Sequence, residues 1–212
     1  MVGAQVASVA RRGKHQLIRL GDGSTLHVHF RMTGDWETGL TRDPLPPYAR
    51  VVIDFTDGSR AVLTDPRALS TLTLHAPGVD PLPNLGPDAT DPAFTAGYLA
   101  DALSKRRIPI KPALLDQRVV AGLGNIYATE ALWLARIEAR RPASSLDRRE
   151  LARLVKAIRR VLEKGEPWSV YDREGQRCPR CGTTIERIIQ AGRSTYWCPQ
   201  CQSNASRIAP LR

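Results

Sequence analysis

The sequence lacks any run approaching the ~18 to 20 uninterrupted apolar residues of a membrane-spanning helix, and its N-terminus lacks the apolar stretch of a secretory signal. The expected compartment is therefore the cytoplasm. Cysteine is scarce: four residues in 212, all between positions 178 and 201, so the core does not need disulfides, and two disulfides or four free thiols are the alternatives to a metal site there. No internal repeat or low-complexity tract is present, which sets aside solenoids and fibres. Acidic residues are under-represented in one half only. Residues 101–212 hold 22 Lys/Arg against 11 Asp/Glu, whereas residues 1–100 hold 9 against 10, so the formal net charge of +10 belongs to the C-terminal half. Neutralising phosphates releases condensed counterions, so such asymmetry favours a polyanionic partner; an arginine-rich solvated surface would give the same count.

What is present is enough for a core. With 42% hydrophobic residues, the chain can bury one substantial core or two modest ones. β-Branched alternation in Val6-x-x-Val9, Leu17-Ile18, Leu26-x-Val28-x-Phe30, Val51-Val52-Ile53-x-Phe55 and Ala61-Val62-Leu63 predicts strands. Gly21-Asp22-Gly23 and Asp57-Gly58 fall at hairpin spacing, which predicts an antiparallel sheet belonging to a sandwich or barrel. Residues 77–92, dense in Pro, Gly, Asp and Asn, read as a linker. Beyond it, helices are expected over 94–103, 111–120, 125–137 and 146–162. The last carries Leu151, Leu154, Val155, Ile158, Val161 and Leu162 at helical spacing, with Ser144 or Ser145 as its cap and its arginines on a solvated face.

The most specific local signal is Cys178-Pro-Arg-Cys181, sixteen residues, then Cys198-Pro-Gln-Cys201. Two thiolate pairs of this kind close a tetrahedral shell around one zinc ion and leave no position open for chemistry, so the expected Zn2+ is structural. Thr183-Thr184-Ile185 and Thr195-Tyr196-Trp197 are expected to form a hairpin, with Gln190-Ala191-Gly192-Arg193 near its turn. Further upstream, Lys111-Pro-Ala-Leu-Leu-Asp116 and Gly122-Leu-Gly124-Asn125-Ile-Tyr127-Ala-Thr-Glu130 read as helix, glycine turn, helix. Asn125 is the expected cap. The free N–H groups and partial positive charge of a helix N-terminus suit a phosphate oxygen, though plain helix capping explains an isolated turn of this kind equally well.

Taken together, these motifs resemble the formamidopyrimidine-DNA glycosylase and endonuclease VIII family. The resemblance extends through Arg12-Gly13-Lys14, Phe30-Arg-Met32-Thr-Gly34 and Thr64-Asp65-Pro66-Arg67 and covers nearly the whole chain. It implies an α+β fold with three parts: a partial antiparallel β-sandwich over 1–80, a helix-two-turn-helix DNA-binding domain over 88–166, and a four-cysteine zinc-finger hairpin over 171–203. It also implies a base-excision repair glycosylase with abasic-site lyase activity on oxidised bases. The partner would be double-stranded DNA carrying damaged bases or abasic sites, met by a monomer on a bacterial nucleoid.

Residue by residue, the resemblance gives Lys14 a phosphate contact near the lesion and a part in elimination, and Met32 and Arg67 the role of wedges beside an extruded nucleotide. Extrusion costs roughly a few kcal/mol, which the wedges offset. Arg106, Lys111, Asn125 and Arg193 fall among the DNA contacts, Arg193 also with the second elimination, and Glu130 is a carboxylate supporting the site. Taken singly, each has an ordinary reading as a solvated or core residue.

The chain departs from the family in three places. The family's N-terminal proline nucleophile and the glutamate after it have no counterpart, since residues 2 to 4 are Val, Gly and Ala. A covalent mechanism without its amine loses the intermediate that divides the reaction. Lys14 and the Met1 α-amine are the available substitutes. Entry into the family pattern in mid-domain gives the expectation of a lost upstream piece, an inactive fragment, and a sheet with uncovered apolar faces; a shortened, non-catalytic damaged-DNA-binding module is the alternative. A zinc-ribbon protein of transcription or RNA metabolism would leave the segment from Lys111 to Glu130 unexplained. Second, only Glu166-Pro-Trp-Ser-Val separates Gly165 from Tyr171, where 8-oxoguanine enzymes carry a longer lesion-covering loop. Third, Ala68-Leu69 follows Arg67 where many relatives have arginine and phenylalanine. The expected substrates are oxidised pyrimidines, abasic sites or ring-opened purines rather than 8-oxoguanine.

Overall fold

A computed structural model of the chain describes residues 2–203. Met1, and the tail beyond 203 whose role the sequence leaves open, lie outside the described residues. The chain divides into two compact units, residues 1–83 and 84–212.

The first unit is all β. One antiparallel sheet runs in the order β1-β2-β3-β7, from β1 (Val6–Arg12), β2 (His15–Leu20), β3 (Thr25–His29) and β7 (Thr71–His75). A second has the order β4-β6-β5, from β4 (Asp35–Leu40), β5 (Ala49–Asp54) and β6 (Ser59–Thr64). Strand alternation buries Leu20, Leu26 and Val28 on one face of the first sheet. On that face the Trp36 indole Nε1 of β4 donates to Gln16 Oε1 of β2 at 2.6 Å, so it is the face that meets the second sheet. The opposite face of β2 and β3 carries His15, Leu17, Arg19, Thr25, His27 and His29, with Leu17 and Thr25 buried. That face is mainly polar, while Val6 and Val9 on edge strand β1, Val52 on β5 and Leu74 on β7 are exposed apolar residues of the unit. Strands β4 and β7 were not foreseen. The alternation in Asp-Trp-Glu-Thr-Gly-Leu is weak, with Thr38 between Trp36 and Leu40, whereas Leu72 and Leu74 alternate with threonines in β7, which pairs with β3.

The second unit is helical around a core that includes Phe94, Leu99, Ile110, Leu114, Leu123, Leu132, Leu154 and Ile158. Its helices are α1 (Ala96–Leu103), α2 (Ile110–Leu115), α3 (Asn125–Leu134) and α4 (Arg148–Lys164). Helix α2 is shorter than the expected 111–120 because Asp116 turns the backbone to ψ 111° and its carboxylate accepts the Arg118 N–H at 3.0 Å, a local turn that outcompetes the next helical bond. Helix α4 is capped by Asp147 rather than by Ser144 or Ser145, which lie in a 3₁₀ turn. Asp147 accepts from Glu150 N while the Glu150 side chain accepts from Asp147 N, a reciprocal box that satisfies two otherwise orphaned donors. Residues 86–89 of the expected linker pair with the α2–α3 connection, Gly86 N donating to Gln117 O and Ala121 N to Pro87 O. The hairpin of the finger is β8 (Glu186–Gln190) and β9 (Arg193–Trp197), starting after the expected 183–185, and a short α5 (Pro199–Gln202) follows.

Candidate nucleic-acid interface

Helix α3 begins without a side-chain cap. Its N-cap is Gly124, in extended backbone, and Asn125 is the first helical residue instead of the expected cap. The N–H groups of the first turn therefore keep the anion-attracting end of the helix open. The preceding turn is held by Gln117, whose Oε1 accepts from Gly122 N at 3.0 Å and whose Nε2 donates to Leu115 O and Leu123 O, both at 3.1 Å. Gly122 has φ 85°, the left-handed region that disfavours a side chain.

Asn125 is used elsewhere. Its Nδ2 donates to Ser194 O at 3.1 Å, and the Lys111 ammonium donates to the same carbonyl at 2.7 Å and to Thr195 Oγ1 at 2.6 Å. Two helices thus grip the start of β9, and the residue beside Arg193 is pinned to the approach of α3. Arg193 itself is exposed. Lys111, expected among the DNA contacts, is 1% exposed and its amine points into the finger. Burial, and then the Arg193 charge, push its pKa down to about 7. Arg106 is drawn to Asp116, Nη1 to Oδ2 at 2.9 Å, and remains partly exposed.

The four cysteine sulfurs lie within 4.8 Å of one another. The Cys181–Cys198 and Cys181–Cys201 separations are 3.4 Å and Cys178–Cys201 is 3.9 Å, distances that suit thiolates sharing a tetrahedral ion at about 2.3 Å each. Hydrogen bonds from Thr183 pull Cys181 down to about 6, whereas burial pushes Cys201 up to about 12. Four thiolates in so small a space need a cation, and one structural Zn2+ held by Cys178, Cys181, Cys198 and Cys201 supplies it. Trp133 of α3 packs with Cys178, Cys198 and Cys201 in one buried cluster, so the metal loop and the helix share a core.

In the first unit the organising group is Asp65. Its buried carboxylate accepts from Thr33 Oγ1 at 2.5 Å, from Leu69 N and Ser70 N at 2.7 Å each, from Ser70 Oγ at 2.8 Å and from Arg67 N at 3.1 Å. Led by the Thr33 bond, these donors hold it far below the ordinary carboxylate range. They also shape the loop after β6 so that Arg67 Nη1 reaches Met32 Sδ at 3.2 Å. The two expected wedges are side by side, with Met32 exposed at 72%. Gly34 beneath them admits no side chain, since a Cβ would lie 2.0 Å from Ser70 Oγ and 2.8 Å from Phe30 O. Lys14 is exposed in the two-residue turn between β1 and β2, after Gly13 at φ 59°.

Glu130, expected among the catalytic residues as a carboxylate supporting the site, lies inside the second unit. It is 3% exposed, and its carboxylate accepts backbone N–H bonds from Ser169 at 2.9 Å, Val170 at 2.7 Å and Tyr171 at 2.8 Å. It holds the short connector between α4 and the finger, where Trp168 packs edge-on to Tyr127 at 5.4 Å. Sequence reasoning missed Gln117, Ser194 and Thr195; no local signal marks them, because Ser194 and Thr195 act through partners more than 60 positions away.

Three domain models match in order: the formamidopyrimidine-DNA glycosylase N-terminal domain over residues 1–72, the formamidopyrimidine-DNA glycosylase H2TH domain over 85–167, and a zinc finger found in FPG and IleRS over 175–204. The formamidopyrimidine-DNA glycosylase of Pelotomaculum thermopropionicum is 38% identical over 93% of this chain and 81% of that protein. This chain belongs to the formamidopyrimidine-DNA glycosylase family. Another family member, from Herpetosiphon aurantiacus, is 40% identical over 94% of this chain and 82% of its own length. Among solved family structures, the Lactococcus lactis enzyme bound non-covalently to DNA with an AP site superimposes with a TM-score of 0.87 at 32% identity, covering 95% of this chain and 83% of that one. The Thermus thermophilus enzyme gives 0.82 at 36% identity, covering 94% and 84%.

Proposed function

We infer that this chain is a base-excision repair DNA glycosylase with abasic-site lyase activity, and that its partner is duplex DNA containing damaged bases or abasic sites. The observation that carries the reading is the joint grip of Lys111 and Asn125 on Ser194 O, which fixes exposed Arg193 beside the uncapped start of α3. A helix N-terminus and a guanidinium so placed suit consecutive phosphates of one strand. Lys14 is the proposed phosphate contact near the lesion and participant in elimination, Met32 and Arg67 the pair entering the gap, and Arg106 a further phosphate contact. Arg193 takes part in the second elimination, while Lys111 and Glu130 act through what they position. The compartment proposed is the bacterial cytoplasm, on the nucleoid.

Borohydride reduction on abasic duplex DNA tests the reading, because lyase chemistry passes through an imine that reduction makes permanent. A trapped protein–DNA adduct is the expected result for a version of the chain that carries the family's N-terminal proline. Tight, salt-sensitive binding with no adduct would assign the chain to the non-catalytic module instead. For the base removed, the short connector held by Glu130 and exposed Leu69 after Arg67 support oxidised pyrimidines, abasic sites or ring-opened purines. Faster excision of 8-oxoguanine than of thymine glycol by a full-length version would overturn that preference.

A further inference from the structure

All four histidines of the sequence gather on one face of the first unit's larger sheet. Leu17 pairs with His27 and Thr25 with His75, so alternation sends His15, His27, His29 and His75 to the same side, away from the buried Leu26 and Val28. Their rings form a zigzag. His29 stands edge-on to His15 at 4.9 Å between centroids, His15 stacks on His27 at 5.0 Å, and His27 tilts toward His75 at 5.8 Å. At the centre, His15 Nδ1 lies 2.8 Å from His27 Nε2.

Two features make this pair a ligand set rather than a charged patch. Burial, joined by the neighbouring imidazoles and then by the Arg31 and Lys14 charges, pushes His15 down to about 4, and burial also lowers His27, so both rings are neutral at pH 7, the form that binds metals. Second, the facing nitrogens are already close, so chelation needs the rings to part slightly and to turn, both lone pairs leaving the N···N line to meet at one ion. Two imidazole nitrogens on one tetrahedral zinc at about 2.0–2.1 Å stand about 3.3 Å apart, roughly half an ångström more than here. His29 is a positioning ring: its Nδ1 accepts the Arg31 N–H at 3.0 Å, which leaves its proton on Nε2 while it packs against His15.

We propose that His15 Nδ1 and His27 Nε2 chelate a divalent cation of the zinc class on the outer face of this sheet, at a second metal site separate from the four thiolates. Without metal, one of the two nitrogens carries the bridging proton. On binding, that ring changes tautomer and holds the proton on its far nitrogen, so both facing lone pairs reach the ion and neither ring loses charge neutrality. Imidazole donors with no carboxylate among them select zinc, nickel or copper over magnesium or calcium. Water completes the shell, so the site is weaker than the finger.

The test is zinc stoichiometry on the untagged full chain in metal-buffered solution, together with retention on a nickel-charged resin. Two zinc ions per chain are expected at saturation, falling to one in the double variant His15→Ala/His27→Ala, which also washes off the resin at low imidazole. Retention of the finger's ion and an unchanged far-UV spectrum show that the variant is folded; if it is not, the single variant His27→Gln gives the same readout. His75→Ala, at the far end of the zigzag, is expected to keep the second ion. A wild-type chain that saturates at one zinc, or a second ion that persists without His15 and His27, would overturn the proposal and leave an ordinary hydrogen-bonded pair.

Discussion

Lys111 is a buried amine with no carboxylate bonded to it, set behind an arginine that faces solvent. Its pKa of about 7, against an ordinary value near 10.4, has a sign that can be worked through. Between these two values the unfolded chain binds the proton and the folded chain does not, so this group makes the second unit more stable as pH rises from about 7 to about 10. DNA phosphate arriving beside Arg193 favours the charged form and draws a proton in. Affinity for duplex DNA is therefore expected to fall above pH 7, by at most about tenfold per pH unit for one linked proton, and Lys111→Met is expected to flatten the profile. Fluorescence anisotropy at fixed ionic strength reads both; a wild-type profile already flat from pH 7 to 9 would remove Lys111 from the binding equilibrium. Asn125→Ala and Arg193→Ala make a different prediction. If, as proposed, Arg193 meets phosphate and Asn125 holds it there, both variants should weaken binding to all sequences alike and lower the salt slope, by about one unit for the arginine. Unchanged affinity would refute those assignments. None of this coupling was legible along the chain: Lys111 and its partners are 83 and 84 positions apart, and only folding shows that the lysine is spent inside.

At the scale of elements, what the sequence revealed and what it hid divide by range. The cysteine knuckles, the strands with β-branched alternation and the amphipathic α4 were readable because their signals repeat within a few residues. The end of α2, the cap of α4 and the start of α3 were misplaced, since in each case a side chain chose between two local hydrogen-bond partners: Asp116 turned to Arg118 N, Asp147 to Glu150 N, and Asn125 left its own helix for Ser194. The connector after α4 is the element where this matters for function. Glu130 accepts three consecutive backbone N–H bonds, and a glutamine there offers one acceptor oxygen and turns an N–H group toward donors. Glu130→Gln is expected to cost about 1–3 kcal/mol, read as a lower thermal midpoint, with faster amide exchange at residues 169–171. A variant with wild-type exchange there would show that the connector is held by something else.

The whole molecule has two cores and one metal-dependent joint. Leu20, Leu26, Val28, Val62 and Leu63 are buried in the first unit, while the second unit has a helical core and a smaller cluster in which Trp133 of α3 packs among the metal-binding cysteines. A loop as short as the finger draws much of its folding free energy from zinc, so stripping the ion leaves four thiols crowded within 4.8 Å with nothing to hold them. Once β9 loosens, Ser194 O no longer receives Lys111 and Asn125, and a buried amine without acceptors destabilises the α2–α3 turn in its own right. Chelation is therefore expected to raise amide exchange across 171–203 and, with it, across 110–127, and to abolish salt-dependent DNA binding, while β2 and β3, paired with each other in their own ladder, keep their protection. Exchange mass spectrometry before and after chelator distinguishes the outcomes. Loosening confined to the finger, with 110–127 unchanged, would mean that Lys111 and Asn125 merely rest against β9, and that Arg193 is not held where a phosphate can use it.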